Sequence, residues 1–240
     1  LESFIHFGLG GDTLVEEIKI VWADSKEQTL RNVKVNKVVT ITKETNLPEK
    51  NNTEGEKNYL FTNSTGATGI QFLHTEKEYI DFNVQKLLPH KFSQYGPAMA
   101  AGDVNGDGTD DLFISGSYGN SGKFFIQKKD GRFEMKDLQP GADMNTKKHD
   151  DAGVLLFDAD TDGDLDLYIA SGGFESPGGS ENYKDRFYVN DGKGNFTKDT
   201  LAVPNTTVSK SCVKAADYDK DGDLDLFIGG RVIPGKYPMP

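Results

Sequence analysis

Short apolar runs, stopped by glycine or aspartate, recur along most of the chain. "EEIKIVWA" (16–23) and "VNKVVTIT" (35–42) alternate apolar and polar positions, which predicts two half-buried strands. Residues 43–57, "KETNLPEKNNTEGEK", are polar without periodicity and read as a linker. "NYLFTNSTGATGIQFLH" (58–74) predicts two more strands, and a less regular loop follows to about residue 94. From residue 95 onward the pattern becomes orderly. The brief apolar segments "AMAAG", "GVLLF" and "VKAA" each lead into an aspartate-rich loop. After the loops come "LFISGS", "LYIASG" and "LFIGGR", rich in β-branched and aromatic residues and ending on glycine, as short buried strands do.

The loops carry the chemistry. "DADTDGDLD" (158–166) places Asp158, Asp160, Asp162, Asp164 and Asp166 at alternate positions, with Gly163 where a tight turn needs positive φ. Carboxylates so crowded repel one another unless a cation sits among them. "DVNGDGTDD" from Asp103 and "DYDKDGDLD" from Asp217 repeat the pattern, 55 residues before and 59 after. A fixed period of this length marks a repeat architecture. Ca²⁺ takes six to eight oxygen ligands, and a loop offering oxygens at positions 1, 3, 5, 7 and 9 suits it. The expected side-chain ligands are Asp103, Asn105, Asp107 and Asp111; Asp158, Asp160, Asp162 and Asp166; Asp217, Asp219, Asp221 and Asp225. The carbonyls of Thr109, Asp164 and Asp223 complete the sets, for up to three Ca²⁺. With Asn105 in place of a carboxylate, the first loop is expected to bind most weakly. An EF-hand requires Glu at position 12 and flanking helices. Position 12 is Ile114, Ile169 or Ile228 and the flanks are strands, which excludes it and a dockerin-like loop as well.

"KFFIQK" and "GRFEMKD" meet at "KDG", and "RFYVND" and "GNFTKD" meet around "DGKG". Asp-Gly between alternating apolar runs signals a hairpin. Each period therefore holds four antiparallel strands, the content of a β-propeller blade. "YGPAMAAGDVNGDGTDDLFISG" and its two relatives resemble the FG-GAP or VCBS repeats of integrin-type propellers, with Tyr95, Gly96 and Pro97 at the aromatic-Gly-Pro element. Residues 69–108 are similar to the opening of such propellers in bacterial proteins of the cartilage acidic protein type. Residues 4–41, through "HFGLG" and the "VW" strand, resemble the C-terminal part of an ASPIC/UnbV domain, with "WADS" in place of its usual Trp-Pro-x-Gly turn. The expected organisation is an ASPIC/UnbV-like β unit over 1–42, a linker over 43–57 and a propeller fragment over 58–240. Its blades span about 58–94 (partial), 95–140, 150–200 and 210–240 (partial). The fold class is all-β: a partial, open propeller of four-stranded blades preceded by a small β unit. Closed propellers have four to eight blades, so the chain reads as a fragment whose free strand edges favour self-association.

Composition narrows the partners. Fourteen of the 38 acidic residues lie in the three loops, so much of the net charge of −11 is local ligand charge. Without a basic stripe, nucleic acid is not an expected partner, and no apolar run is long enough for membrane insertion. Cys212 has no partner for a disulfide and no His pattern beside it, so a small buried residue is its expected role. The four His lack the spacing of a zinc helix; "KKHDD" (147–151) reads as a polar connection between blades, with His149 beside Asp150 or Asp151 as the one acid/base alternative. The expected function is a Ca²⁺-stabilised extracellular, cell-surface or periplasmic module that binds a protein or carbohydrate. Its rivals are a polysaccharide-acting enzyme using the propeller face and a structural spacer.

Overall fold

A computed structural model describes residues 6–47 and 60–239. The chain divides into two units, Leu1–Thr62 and Asn63–Pro240.

In the first unit, β1 (Leu14–Val21) and β2 (Glu27–Lys34) form an antiparallel hairpin. The first expected strand is present; the second lies one segment earlier than the apolar pattern of 35–42 indicated. The turn explains the shift. Trp22 N–H donates to the Lys26 carbonyl, and Ser25 N–H to that of Trp22. The chain therefore reverses directly after Trp22 and pairs at once. Ser25 adopts φ 64°, a left-handed conformation, where the family's usual turn has glycine. Gln28, buried in β2, accepts from the Trp22 indole and donates to the Thr42 carbonyl, tying the strandless 35–42 segment back by a side chain.

The second unit begins without the two strands expected in 58–74. Residues 58 and 59 lie outside the described residues, and 60–74 contain only the helical turn α1 (Thr65–Thr68). Leu60, Phe61 and Leu73 are exposed, so their side chains have no sheet to pack against. The irregular stretch that follows contains the turn α2 (Asp81–Val84) and is ordered by buried Asp81, which accepts from the backbone N–H of Phe92 and Ser93 and from the Ser93 hydroxyl.

Two four-stranded antiparallel sheets follow. The first consists of β3 (Met99–Gly102), β4 (Asp111–Ile114), β5 (Lys123–Gln127) and β6 (Phe133–Asp137). The second consists of β7 (Asp150–Phe157), β8 (Asp166–Gly172), β9 (Arg186–Val189) and β10 (Thr197–Asp199). β11 (Ser209–Ala216) and β12 (Asp225–Val232) form a two-stranded sheet. In each, neighbours in sequence are neighbours in space, and the aspartate loops join the first two strands. The fold is thus an open, partial propeller of the expected class.

β8 shows why the runs after the loops are continuously apolar. All seven of its residues are buried. Leu167 and Ile169 face Val104, Phe113 and Phe124 of the first sheet, while Tyr168 and Ala170 face Val213, with Leu226 and Ile228, of the third. Over Leu167–Ala170, alternation with period two that is buried on both faces leaves no polar position. Each such side chain contributes about 1.5–3 kcal/mol on burial. β7 packs against both β3 and β11, so the first strands of successive sheets lie side by side.

Candidate metal loops

The three loops share one backbone design. Positions 4 and 6 are left-handed in each: Gly106 and Gly108, Thr161 and Gly163, Lys220 and Gly222. Two left-handed residues separated by one coil the loop so that its N–H groups point inward. The side chains at positions 3 and 5 accept them in all three loops, and that at position 1 in the first two. Asp103 Oδ1 accepts from Gly106 N–H at 2.8 Å and Oδ2 from Gly108 N–H at 2.8 Å. Asp158 repeats the arrangement with Thr161 and Gly163. The position 3 side chain, Asn105, Asp160 or Asp219, accepts from the N–H at position 5, and the position 5 carboxylate accepts from that at position 7.

These bonds leave oxygens clustered. Asp158, Asp160 and Asp162 each offer one oxygen within 4.8 Å of the others, and so do Asp217, Asp219 and Asp225. They are the two such acidic groups among the described residues; in the first loop Asn105 replaces one carboxylate. Asp164 Oδ1 is buried with no partner among the described residues. Partial burial first, then Asp162 and Asp166, holds the Asp164 carboxyl above its usual range. An all-oxygen donor set of hard ligands under mutual repulsion fits a cation such as Ca²⁺. The arrangement brings together positions 1, 3 and 5 in the second loop and 1, 3 and 9 in the third.

Position 9 has a role that sequence reasoning missed. Asp111 is buried; its Oδ2 accepts from Val104 N–H at 3.1 Å and its Oδ1 from Gln127 N–H at 2.7 Å. Asp166 does the same with Ala159 and Asn190. Each carboxylate thus closes its loop and joins it to the third strand of the blade. Burial raises both carboxyl pKa values. Asp225 holds only Tyr218 N–H and is exposed. Asn190 was also missed. Its amide donates to the carbonyls of Val104 and Leu165, linking the first loop to the second. The only sequence signal is the "VNDGKG" hairpin turn.

The opposite end of the sheets holds "KKHDD". Asp151 is fully buried against Arg186 and Lys147. Its Oδ2 also accepts from Gly116 N–H at 3.0 Å, and the Ser115 hydroxyl donates to its carbonyl. His149 Nδ1–H donates to the Asn182 carbonyl at 2.9 Å. Burial and then Arg186 lower its pKa to about 4. His149 and Asp151 therefore serve different partners and form no acid/base pair. The Asp151 bonds to Gly116 and Ser115 tie the first sheet to the second.

Among the described residues no helix is long and apolar enough to cross a membrane. Comparison with curated proteins finds no match. The family described as ASPIC and UnbV matches residues 2–48, covering the β1–β2 hairpin. The FG-GAP-like repeat matches 103–169 and again 158–228, each span running from one aspartate loop into the next blade. Because these two matches cover just over half of the chain and coincide with the loop-bearing sheets, the chain belongs to the FG-GAP-like repeat family, with an ASPIC and UnbV region ahead of its repeats.

Proposed function

We propose that the chain is a Ca²⁺-stabilised propeller module, exposed outside the cytoplasm or in the cell envelope, that presents a face to a protein or carbohydrate partner. The observation that carries this reading is the convergence of carboxylates in loops that each join the first two strands of a sheet. Asp103, Asn105, Asp107 and Asp111 would hold the first ion, with their counterparts at 158–166 and 217–225 holding the others. A bound cation would turn repelling carboxylates into a rigid corner, so that binding free energy becomes folding free energy. Three ions would reduce the net charge from −11 to −5. Extracellular modules commonly bind Ca²⁺ at about 10⁻⁴–10⁻³ M, which matches calcium-rich surroundings. Equilibrium dialysis against Ca²⁺ tests the reading. Asp158→Ala and Asp217→Ala, at position 1, are each expected to remove one ion from the wild-type stoichiometry; equal Ca²⁺ uptake by wild type and both variants would reject it.

A further inference from the structure

The connection from β8 to β9 is docked against two carboxyl groups that have no cation of their own. Asp150 opens β7 and pairs with Gly172, the last residue of β8, and Glu175 follows three residues later. Asp150 is 3% exposed, yet neither of its carboxylate oxygens has a hydrogen-bond partner among the described residues. Glu175 Oε1 is likewise buried and unpartnered, while its Oε2 accepts from Phe174 N–H at 2.7 Å.

The two groups meet at Gly173. A Cβ there would lie 3.1 Å from Asp150 Oδ2 and would collide with Glu175 Oε2, so both carboxylates crowd the same bare backbone. That backbone is fixed: the Gly173 carbonyl accepts from the Ser209 hydroxyl of β11 at 2.8 Å, and Phe174 is buried in one cluster with Leu88, Phe92 and Val232. Further along, the Tyr183 hydroxyl donates to the Ser176 carbonyl, and His149 donates to that of Asn182. The carboxylates cannot separate while the connection stays docked.

The neighbouring cations are engaged elsewhere. Lys147, the one cation that acts on Asp150, uses its three donors on the carbonyls of Ser117 and His149 and on Asp151. Arg186 is paired with Asp151, and Lys210 with Asp185 and the carbonyls of Tyr183 and Thr206. The other titratable groups acting on or beside the pair are Glu76 (bonded to His74), Tyr79 and Asp81 from the stretch before β3, Asp151 of β7, and Tyr183. None of these supplies a compensating positive charge. Burying carboxylates without compensation is costly, and protonation relieves the cost. Burial above all pushes Glu175 up to about 7; burial and then the Glu175 charge put Asp150 well above its usual range.

We infer that Asp150 and Glu175 form a pH-sensitive latch: protonated, they let the β8–β9 connection dock on the second sheet, and ionised together they repel and loosen it. The folded chain holds protons here that the unfolded chain releases. The stability contributed by the pair is therefore full below the ordinary carboxylate range and is lost as pH rises through about 7. The segment set loose is 173–183, "GFESPGGSENY", whose glycines and serines suit it to move. The latch is separate from the aspartate loops and does not depend on their binding Ca²⁺.

The test is urea unfolding of the whole chain at about pH 5.5 and about pH 8.5 in the same millimolar Ca²⁺. It compares wild type with the isosteric double variant Asp150→Asn/Glu175→Gln, which cannot ionise at either position. Loop carboxylates and His149 titrate in both proteins, so their effects cancel in the comparison. The wild-type midpoint is expected to fall as pH rises, and the fall in the double variant to be smaller by about half or more. Equal falls in the two proteins would overturn the inference. Should the variant fail to fold, amide exchange of wild type decides. Corrected for intrinsic rate, residues 174–183 are expected to exchange faster relative to β8 at the higher pH; an unchanged ratio would overturn the latch.

Discussion

Replacing Asp166 by Asn, and comparing it with the same change at Asp225, separates the position 9 carboxylate as a backbone clamp from its role toward a cation. Asp166 is buried and accepts from Ala159 N–H at 3.2 Å and Asn190 N–H at 2.9 Å. Asparagine keeps one acceptor and turns an NH₂ group toward the other N–H. One charge-assisted bond is lost, about 1.5–3 kcal/mol, and a buried N–H is left unsatisfied at about 1–3 kcal/mol more. Relief of carboxylate burial, the cause of its raised pKa, returns part of this. The expected loss in excess chelator is about 2–4 kcal/mol. Asp225 is exposed and holds one N–H, so water substitutes and the loss stays near or below about 1 kcal/mol. Urea unfolding followed by far-ultraviolet circular dichroism, with chelator present, gives both values. Equal losses at the two positions would refute the clamp.

Three further outcomes are expected. Ser25→Gly removes a left-handed serine from the β1–β2 turn; strain of about 1–2 kcal/mol is relieved, less the added freedom of the unfolded glycine, for a net gain of about 0.5–1 kcal/mol. The fluorescence of Trp22, the single tryptophan, reports it, and an unchanged or lower midpoint would count against the turn as described. Arg186→Ala leaves Asp151 buried and short of a partner, a loss of about 3–5 kcal/mol in the same urea assay; a loss under about 1 kcal/mol would show that Arg186 is not what holds the Asp151 carboxylate in place. Asn105→Asp adds a fourth ligand charge to the first loop and is expected to tighten the weakest Ca²⁺ site in a titration, whereas unchanged affinity there would show that charge does not rank the loops.

The loops and strands after residue 95 were legible because their signals are local. The aspartate spacing, the glycine at position 6 and the doubly buried run 167–170 each lie within a few residues. The hairpins at "KDG" and "DGKG" were legible for the same reason. Periodicity misplaced the second strand of the first unit, since "VNKVVTIT" alternates more cleanly than "EQTLRNVK", while the left-handed turn at Ser25 decides which segment pairs. Residues 60–74 carried strand-like apolar positions, but a strand needs a partner, and Leu60 and Phe61 are exposed instead. The double role of Asp111 and Asp166 was hidden because their second donors, Gln127 and Asn190, lie at the end of the third strand and just after it, far along the chain from the loops.

The central claim is that the aspartate loops hold Ca²⁺ and that this binding stabilises the fold. A thermal melt of the whole chain in excess chelator and then in millimolar Ca²⁺, with metal analysis of the purified protein, tests it most directly. At millimolar Ca²⁺ a site with a Kd of about 10⁻⁴ M contributes about 1.4 kcal/mol, so several loops acting together predict a clear rise in Tm and at least two ions per chain. No rise in Tm and no bound metal would mean that the loops are solvated turns, and would contradict the account.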